Sequence, residues 1–289
     1  MTPHRRALAL MALSALSFGV MAFAVKLVSK SMPAAQVAFF RFLFMLLPLL
    51  APGLLRQALT WQRRDLLIYR GVFGGTAVLL YFLAIEHVPV GTATLLNYSS
   101  PIWAVPLAAI TLGERVRPAL LAPFAVALLG MGLVTGALAP GRGVLAVGIW
   151  ELAGFLSSLL SAAAVVSIRA ARRTEGSWAI YGSFSLCGLL VCAPFALAEP
   201  RWPTAGEAAL LVVVGLSSIA AQLLMTHAYR WVTNLQAGVF AQLTVVLSMI
   251  LGVAFLGDSF GAAKLAGTAL ALAGIVGVVW LQSTPRAVE

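Results

Sequence analysis

Charge is what this sequence has least of. Only 10% of its 289 residues are charged, and nine are Asp or Glu. A soluble domain carries about a quarter charged residues, and a water-facing surface cannot be built from so few. Cysteine and histidine are also scarce: Cys187 and Cys192, then His4, His87 and His227. The two cysteines lie in one apolar run and point to different helix faces, so they read as small packing residues rather than a bridge. The histidines are scattered and form no metal motif, and no cofactor is expected. A Walker-type glycine-rich loop is missing, and the soluble segments are too short for a nucleotide-binding domain, which excludes an ATP-driven pump. A membrane-embedded enzyme would need two His with a carboxylate, or an activated nucleophile; neither pattern occurs, so the chain is read as a non-enzyme.

What is present is apolar. Hydrophobic residues make up 61% of the chain, and mean hydropathy is +0.99. Side chains in that proportion must face lipid as well as one another. The net charge of +10 would suggest nucleic acid in a soluble protein. Here the basic residues sit in short gaps between apolar runs, where they set membrane orientation, so no nucleic-acid partner is expected. Residues 1–25 resemble a signal peptide, with His4, Arg5 and Arg6 before an apolar stretch. They lack a cleavage site and read as an uncleaved first span.

A helix needs about 20 apolar residues to cross the hydrocarbon core. Breaks at charge, Pro and Gly clusters give ten candidates: 7–28, 34–54, 66–85, 91–111, 118–138, 145–168, 178–198, 207–228, 235–256 and 262–281. The fold class is therefore all-α integral membrane, since irregular backbone is not tolerated against lipid. With the N-terminus inside, thirteen of the nineteen Lys and Arg fall on the inner side and five on the outer, with Arg41 inside a span. That bias puts both termini in the cytoplasm and suits a multi-pass protein of a bacterial inner membrane.

The chain also resembles itself at an offset of 144 residues. Ser14 and Ser17 match Ser158 and Ser161. Leu66, Leu67 and Gly71 match Leu210, Leu211 and Gly215. Ala84, Val88 and Ala93 match Ala228, Val232 and Ala237. Leu112-Gly113-Glu114 stands opposite Leu256-Gly257-Asp258, and Gly130 opposite Gly274. The expected halves are 1–140 and 141–289, each a five-helix repeat. An odd number of spans turns the second copy over, which is the inverted repeat of secondary transporters, whose substrate sites lie near the midplane between repeats.

Further residues carry a family resemblance: Phe39-Phe40-Arg41-Phe42, the tract from Ala84 through Val88-Pro89 to Ala93, Pro101, Leu112-Gly113-Glu114 and Gly130. In this order, on a ten-span frame, the chain resembles the drug/metabolite transporter superfamily, EamA type. The resemblance implies ten helices in two inverted repeats and a central cavity lined by spans 1, 3, 4, 6, 8 and 9. Members move amino acids, nucleotide derivatives, quaternary amines, sugars and other metabolites, often outward. This chain departs from the pattern with Asp258 in place of Glu, and with Val245 where the first half has Pro101.

Several side chains are candidates for the site. Arg41 is either an anchor for a substrate carboxylate or a structural Arg that snorkels or satisfies helix-end carbonyls. Glu151 either holds an amine or a coupling proton, or points to water near the outer surface. Thr94, Asn97 and Pro101 share a face of span 4, bordered by Tyr98, and Pro101 kinks the helix there. Gln242 is the counterpart of Tyr98 and Thr244 of Ser100, and Gln222 lies in span 8. All these polar groups serve equally as interhelical glue. Phe18, Tyr81 and Trp103 could stack on a planar or cationic solute. His227 and Arg230 are candidates for an inner gate, with a loop role as the alternative. Glu114 and Asp258, each after a glycine, are expected to accept N–H groups at the next helix start.

The function expected is secondary transport of a small organic metabolite by alternating access. An amino acid or similar amphipathic solute is favoured, with export, and a proton as the coupling ion if there is one. A lipid scramblase or flippase-like protein on the same fold, or an uptake carrier for a nucleotide derivative or quaternary amine, is the alternative. Lipid and the solute are the expected partners.

Overall fold

The computed structural model describes residues 3–113, 118–138, 147–198, 200–228, 231 and 234–283. Regular structure among the described residues is helical throughout. The helices are α1 (Pro3–Val28), α2 (Ala34–Met45), α3 (Leu54–Leu59), α4 (Arg64–His87), α5 (Val90–Tyr98) and α6 (Ser100–Leu112). There follow α7 (Leu121–Thr135), α8 (Ile149–Ala171), α9 (Ser177–Ala196), α10 (Ala205–Ala228), α11 (Asn234–Leu256) and α12 (Ala262–Ser283). Among the described residues, eight helical stretches of 18 to 24 residues are apolar enough to cross a membrane.

Two of the expected spans are interrupted, each at a proline. Segment 34–54 forms α2 and then a 3-10 turn over Leu47–Leu50. Pro48 has no N–H for the Phe44 carbonyl, so the α-helical ladder stops at Met45. Segment 91–111 divides into α5 and α6 at Ser99. Pro101 cannot donate to the Asn97 carbonyl. The chain tightens instead: the Ser99 hydroxyl donates to the Leu96 carbonyl at 2.6 Å and the Ile102 amide to the Ser99 carbonyl at 2.9 Å. Val245, at the matching place in α11, keeps its N–H, and α11 runs unbroken. The short helix α3 went unseen in the sequence. It is held by Ala58, which is fully buried against Gly182 of α9.

Helices far apart in sequence pack closely. α1 lies against α10 and α11, α2 against α9 and α10, and α4 against α8 and α9. α5 and α6 both touch α8, and α5 also touches α11. α7 packs backbone to backbone on α12. A Cβ on Gly130 would meet the Ala271 amide and the Gly267 carbonyl, and a Cβ on Gly274 would meet the Ala127 amide and the Pro123 carbonyl. Small residues bring two backbones together in this way wherever lipid offers no hydrophobic drive between helices. Outside the packed centre, Ile110, Leu190 and Phe255 are each at least 70% exposed, as expected where the surroundings are hydrocarbon.

Candidate functional site

Arg41 belongs to the buried stripe of α2, beside Val37, Ala38, Phe42 and Met45. That spacing of three and four aims it at the protein interior, and it is only 3% exposed. Its guanidinium therefore does not snorkel. The Nε donates to the Ser218 hydroxyl of α10 at 3.0 Å. The buried Nη1 has no partner. Three rings surround the charge, with centroids at 5.3 Å (Phe42), 5.6 Å (Phe82) and 5.8 Å (Phe184) from Cζ. Tyr81, Tyr98 and Tyr181 lie within its electrostatic reach. Cation–π contacts contribute about 0.5–2 kcal/mol each, against several kcal/mol to desolvate an ion. No carboxylate among the described residues pairs with it.

Polar groups from other helices close around this charge. The Tyr81 hydroxyl of α4 is 2.9 Å from Thr94 Oγ1 of α5, which donates to the Val90 carbonyl at 2.7 Å. Tyr98, at the end of α5, lies beside Thr244 of α11, and Thr244 Oγ1 donates to the Ala15 carbonyl of α1 at 3.1 Å. Nearby on α11, the Gln242 amide donates weakly to Gly238 at 3.4 Å, and its buried carbonyl oxygen has no partner. Arg41, Tyr81, Thr94, Tyr98 and Thr244 thus join α1, α2, α4, α5, α10 and α11.

Other candidates lie apart. Asn97 turns to α8, where its amide donates to Ser157 at 3.0 Å and Ser161 at 3.4 Å. Trp103 sits between Phe124 and Phe155, at 5.7 and 5.0 Å, with its indole N–H buried and unpaired. Pro101 occupies the first turn of α6. Phe18 packs on the main core, and Gln222 is partly buried in α10. Glu151 is in the first turn of α8, its carboxylate folded back over Gly148. His227 is exposed and meets the Trp231 ring at 5.0 Å. Glu114 and Arg230 fall outside the described residues.

Sequence reasoning missed Arg70, which it counted only among the basic residues of the inner side. Arg70 is 7% exposed, with its Cζ 4.1 Å from the Phe184 centroid. Its buried Nε has no partner. The signal lay in the neighbouring glycines. Gly71, Gly74 and Gly75 share its helix face, and Gly71 and Gly75 pack on Ser183, Cys187 and Gly188 of α9. A charge on the same face as three close-packed glycines must be buried with them.

The described ends of the bundle are held by capping. At one end, Lys26 Nζ donates to the Ile85, Glu86 and Val88 carbonyls at 2.7, 3.1 and 3.0 Å, satisfying the last turn of α4. Glu86 accepts the Ala34 amide at the head of α2. Asp258 accepts the Val90 amide at 3.3 Å. It therefore reaches the head of α5 rather than the head of α12 as the sequence reading expected. Two glycines allow this: Gly257 takes a φ of +71°, and the chain turns back so that the Asp258 amide meets the Gly252 carbonyl at 3.1 Å. Asp258→Ala is expected to cost about 1 kcal/mol by loss of this cap, read as a lower melting temperature, whereas Asp258→Asn retains most of it. At the opposite end, Glu175 accepts the Gln62 amide at 2.9 Å and the Arg63 amide, fixing the start of α4. A cavity of about 250 Å³ opens there, lined by Gln57, Thr60, Gln62 and Trp178 among others.

Comparison with known proteins follows the same outline. A model described as the EamA-like transporter family matches residues 5–136 and again 148–280. The pseudopaline exporter CntI of Pseudomonas aeruginosa is 28% identical over 223 residues, covering 75% of this chain and 76% of that protein. An uncharacterized transporter of Helicobacter pylori is 26% identical over 263 residues, covering 86% and 85%. A solved crystal structure superposes with a TM-score of 0.60 at 24% identity, over 96% of this chain and 97% of that one, a likeness of fold.

Proposed function

The chain belongs to the EamA-like transporter family, and from that premise we propose that it is a secondary carrier exporting a small amphipathic metabolite by alternating access. The observation that carries this reading is Arg41: a buried, incompletely bonded charge enclosed by polar and aromatic groups of α2, α4, α5, α9 and α10, from both halves. A charge kept inside an apolar bundle marks a solute path. Guanidinium suits a carboxylate, and the surrounding rings suit an apolar body, as in an amino acid or similar solute. Glu151, folded back on its own helix end, lends no support to an amine site. The name of the Pseudomonas relative supports export.

Ten crossings in two inverted halves, 1–140 and 141–289, complete the reading, with the interrupted segments 34–54 and 91–111 as the ninth and tenth. The contacts of α7 with α12 support it. Gly130 meets Ala271 and Gly267; Gly274 meets Ala127 and Pro123. Each residue of the second set is 144 positions from its counterpart in the first, so the interface repeats itself when the halves are exchanged, as a twofold axis requires. The bias of Lys and Arg puts both termini in the cytoplasm. Lys26, Glu86 and Asp258 then close the outer end, while Glu175 braces the inner one.

The test is solute counterflow in proteoliposomes with a panel of amphipathic metabolites, alongside a fluorescent-lipid assay. Saturable counterflow of a panel member is expected. Lipid scrambling without solute counterflow would replace the carrier by the scramblase alternative.

A further inference from the structure

Two buried arginines share one aromatic ring and have no acidic partner among the described residues. Arg41 reaches Phe184 from α2, and Arg70 reaches it from α4, with Cζ 5.8 and 4.1 Å from the centroid. Each retains a buried nitrogen without a hydrogen bond, Nη1 of Arg41 and Nε of Arg70. The acids among the described residues are committed elsewhere. Asp65 holds Arg63, Glu86 the head of α2, Glu175 the head of α4, Glu207 Arg201, and Asp258 the head of α5. Glu151 lies over Gly148. The two guanidiniums therefore flank one ring with no acidic counter-charge among the described residues.

We propose that Arg41 and Arg70 together form the subsite for an anionic oxygen group of the transported solute, a carboxylate or a phosphate. The inference rests on the carrier reading above and names the substrate class of that same site. Two like charges in a low-dielectric interior repel each other, and a shared anion turns that repulsion into attraction. The planar fork of each guanidinium matches carboxylate and phosphate oxygens. The rings of Phe42, Phe82 and Phe184 around Arg41 suit a hydrocarbon body. Gly74 makes room for the longer reach of Arg70, because a Cβ there would strike its Nη1. A quaternary amine would bring a third positive charge, so cationic solutes are excluded.

The test is thermal unfolding of the purified full-length protein at fixed ionic strength with succinate, 3-phosphoglycerate, L-leucine, choline or chloride. A ligand that binds only the folded state raises the melting temperature. Succinate or 3-phosphoglycerate is expected to raise it by several degrees over chloride; because 3-phosphoglycerate also carries a carboxylate, a phosphate site is read only from a shift with 3-phosphoglycerate that succinate does not give. Choline is expected to have no effect. Arg70→Gln is expected to abolish the anion shift while its own melting temperature stays at or above that of the wild type. If that variant does not fold, Arg70→Lys, which keeps the charge but not the fork, is expected to cut the shift several-fold. No shift with either anion, or a shift that survives loss of the Arg70 fork, overturns the proposal. Stabilisation and counterflow by choline alone overturn it while leaving the carrier intact, and an L-leucine shift that is lost in Arg70→Gln supports it through the amino-acid carboxylate. Lipid scrambling without counterflow overturns the carrier itself.

Discussion

Arg41→Lys is expected to lower counterflow roughly 10- to 100-fold without lowering the amount of folded protein. Lysine keeps the charge but offers a compact ammonium in place of a planar fork. It cannot hold the Ser218 hydroxyl at 3.0 Å and also present a second nitrogen to a solute. A lost hydrogen bond to a charged group is worth about 1.5–3 kcal/mol, and each 1.4 kcal/mol is a factor of about ten. Stability should move the other way in Arg41→Met, because removing an incompletely paired buried ion is often neutral or stabilising. A melting temperature at or above wild type, with counterflow lost, separates a solute-binding Arg41 from a structural one. Wild-type flux in Arg41→Lys would remove the fork from the mechanism.

Gly130→Val is expected to be the most damaging single change to folding, with a loss of about 3 kcal/mol or more. The neighbours at this position are the Ala271 amide and the Gly267 carbonyl. Backbone atoms cannot turn aside as a side-chain tip can, so α7 and α12 must separate. Gly274→Val should do equal damage, because it meets the Ala127 amide and the Pro123 carbonyl in the same arrangement. Gly206→Val, where a side chain meets open space, is the matched control. Fluorescence-detected size exclusion reads the outcome as loss of the monodisperse peak in the first two variants only.

Much of the architecture was legible in the sequence because hydrocarbon imposes a simple rule: long apolar runs must be helices. The offset of 144 residues was legible because glycines at close helix contacts, such as Gly130 and Gly274, resist replacement by larger side chains. The interruption at Pro101 was expected as a kink; the structure makes it a break between two helices, because Ser99 supplies a local bond to Leu96. The candidate site was legible only in part. Arg41 stood out as a charge inside an apolar run. Arg70 did not, because it lies near a cluster of basic residues where a span begins, and burial there depends on how α9 packs. Asp258 was recognised as a capping residue, yet its partner lies 168 positions away at Val90, a pairing no local pattern reveals. Asn97 shared a face with Thr94, but the neighbouring helices divided them, one facing α4 and the other α8.

The most direct measurement concerns access to Thr94, which is fully buried beside Tyr81. In a Cys187→Ser, Cys192→Ser background, Thr94→Cys is placed in vesicles of known orientation and treated with a membrane-impermeant thiol reagent. Two halves that alternate predict labelling from both membrane faces, with a transported solute slowing the reaction from each side. Labelling from one face alone, or from neither, would contradict a centre that opens by turns to the two sides.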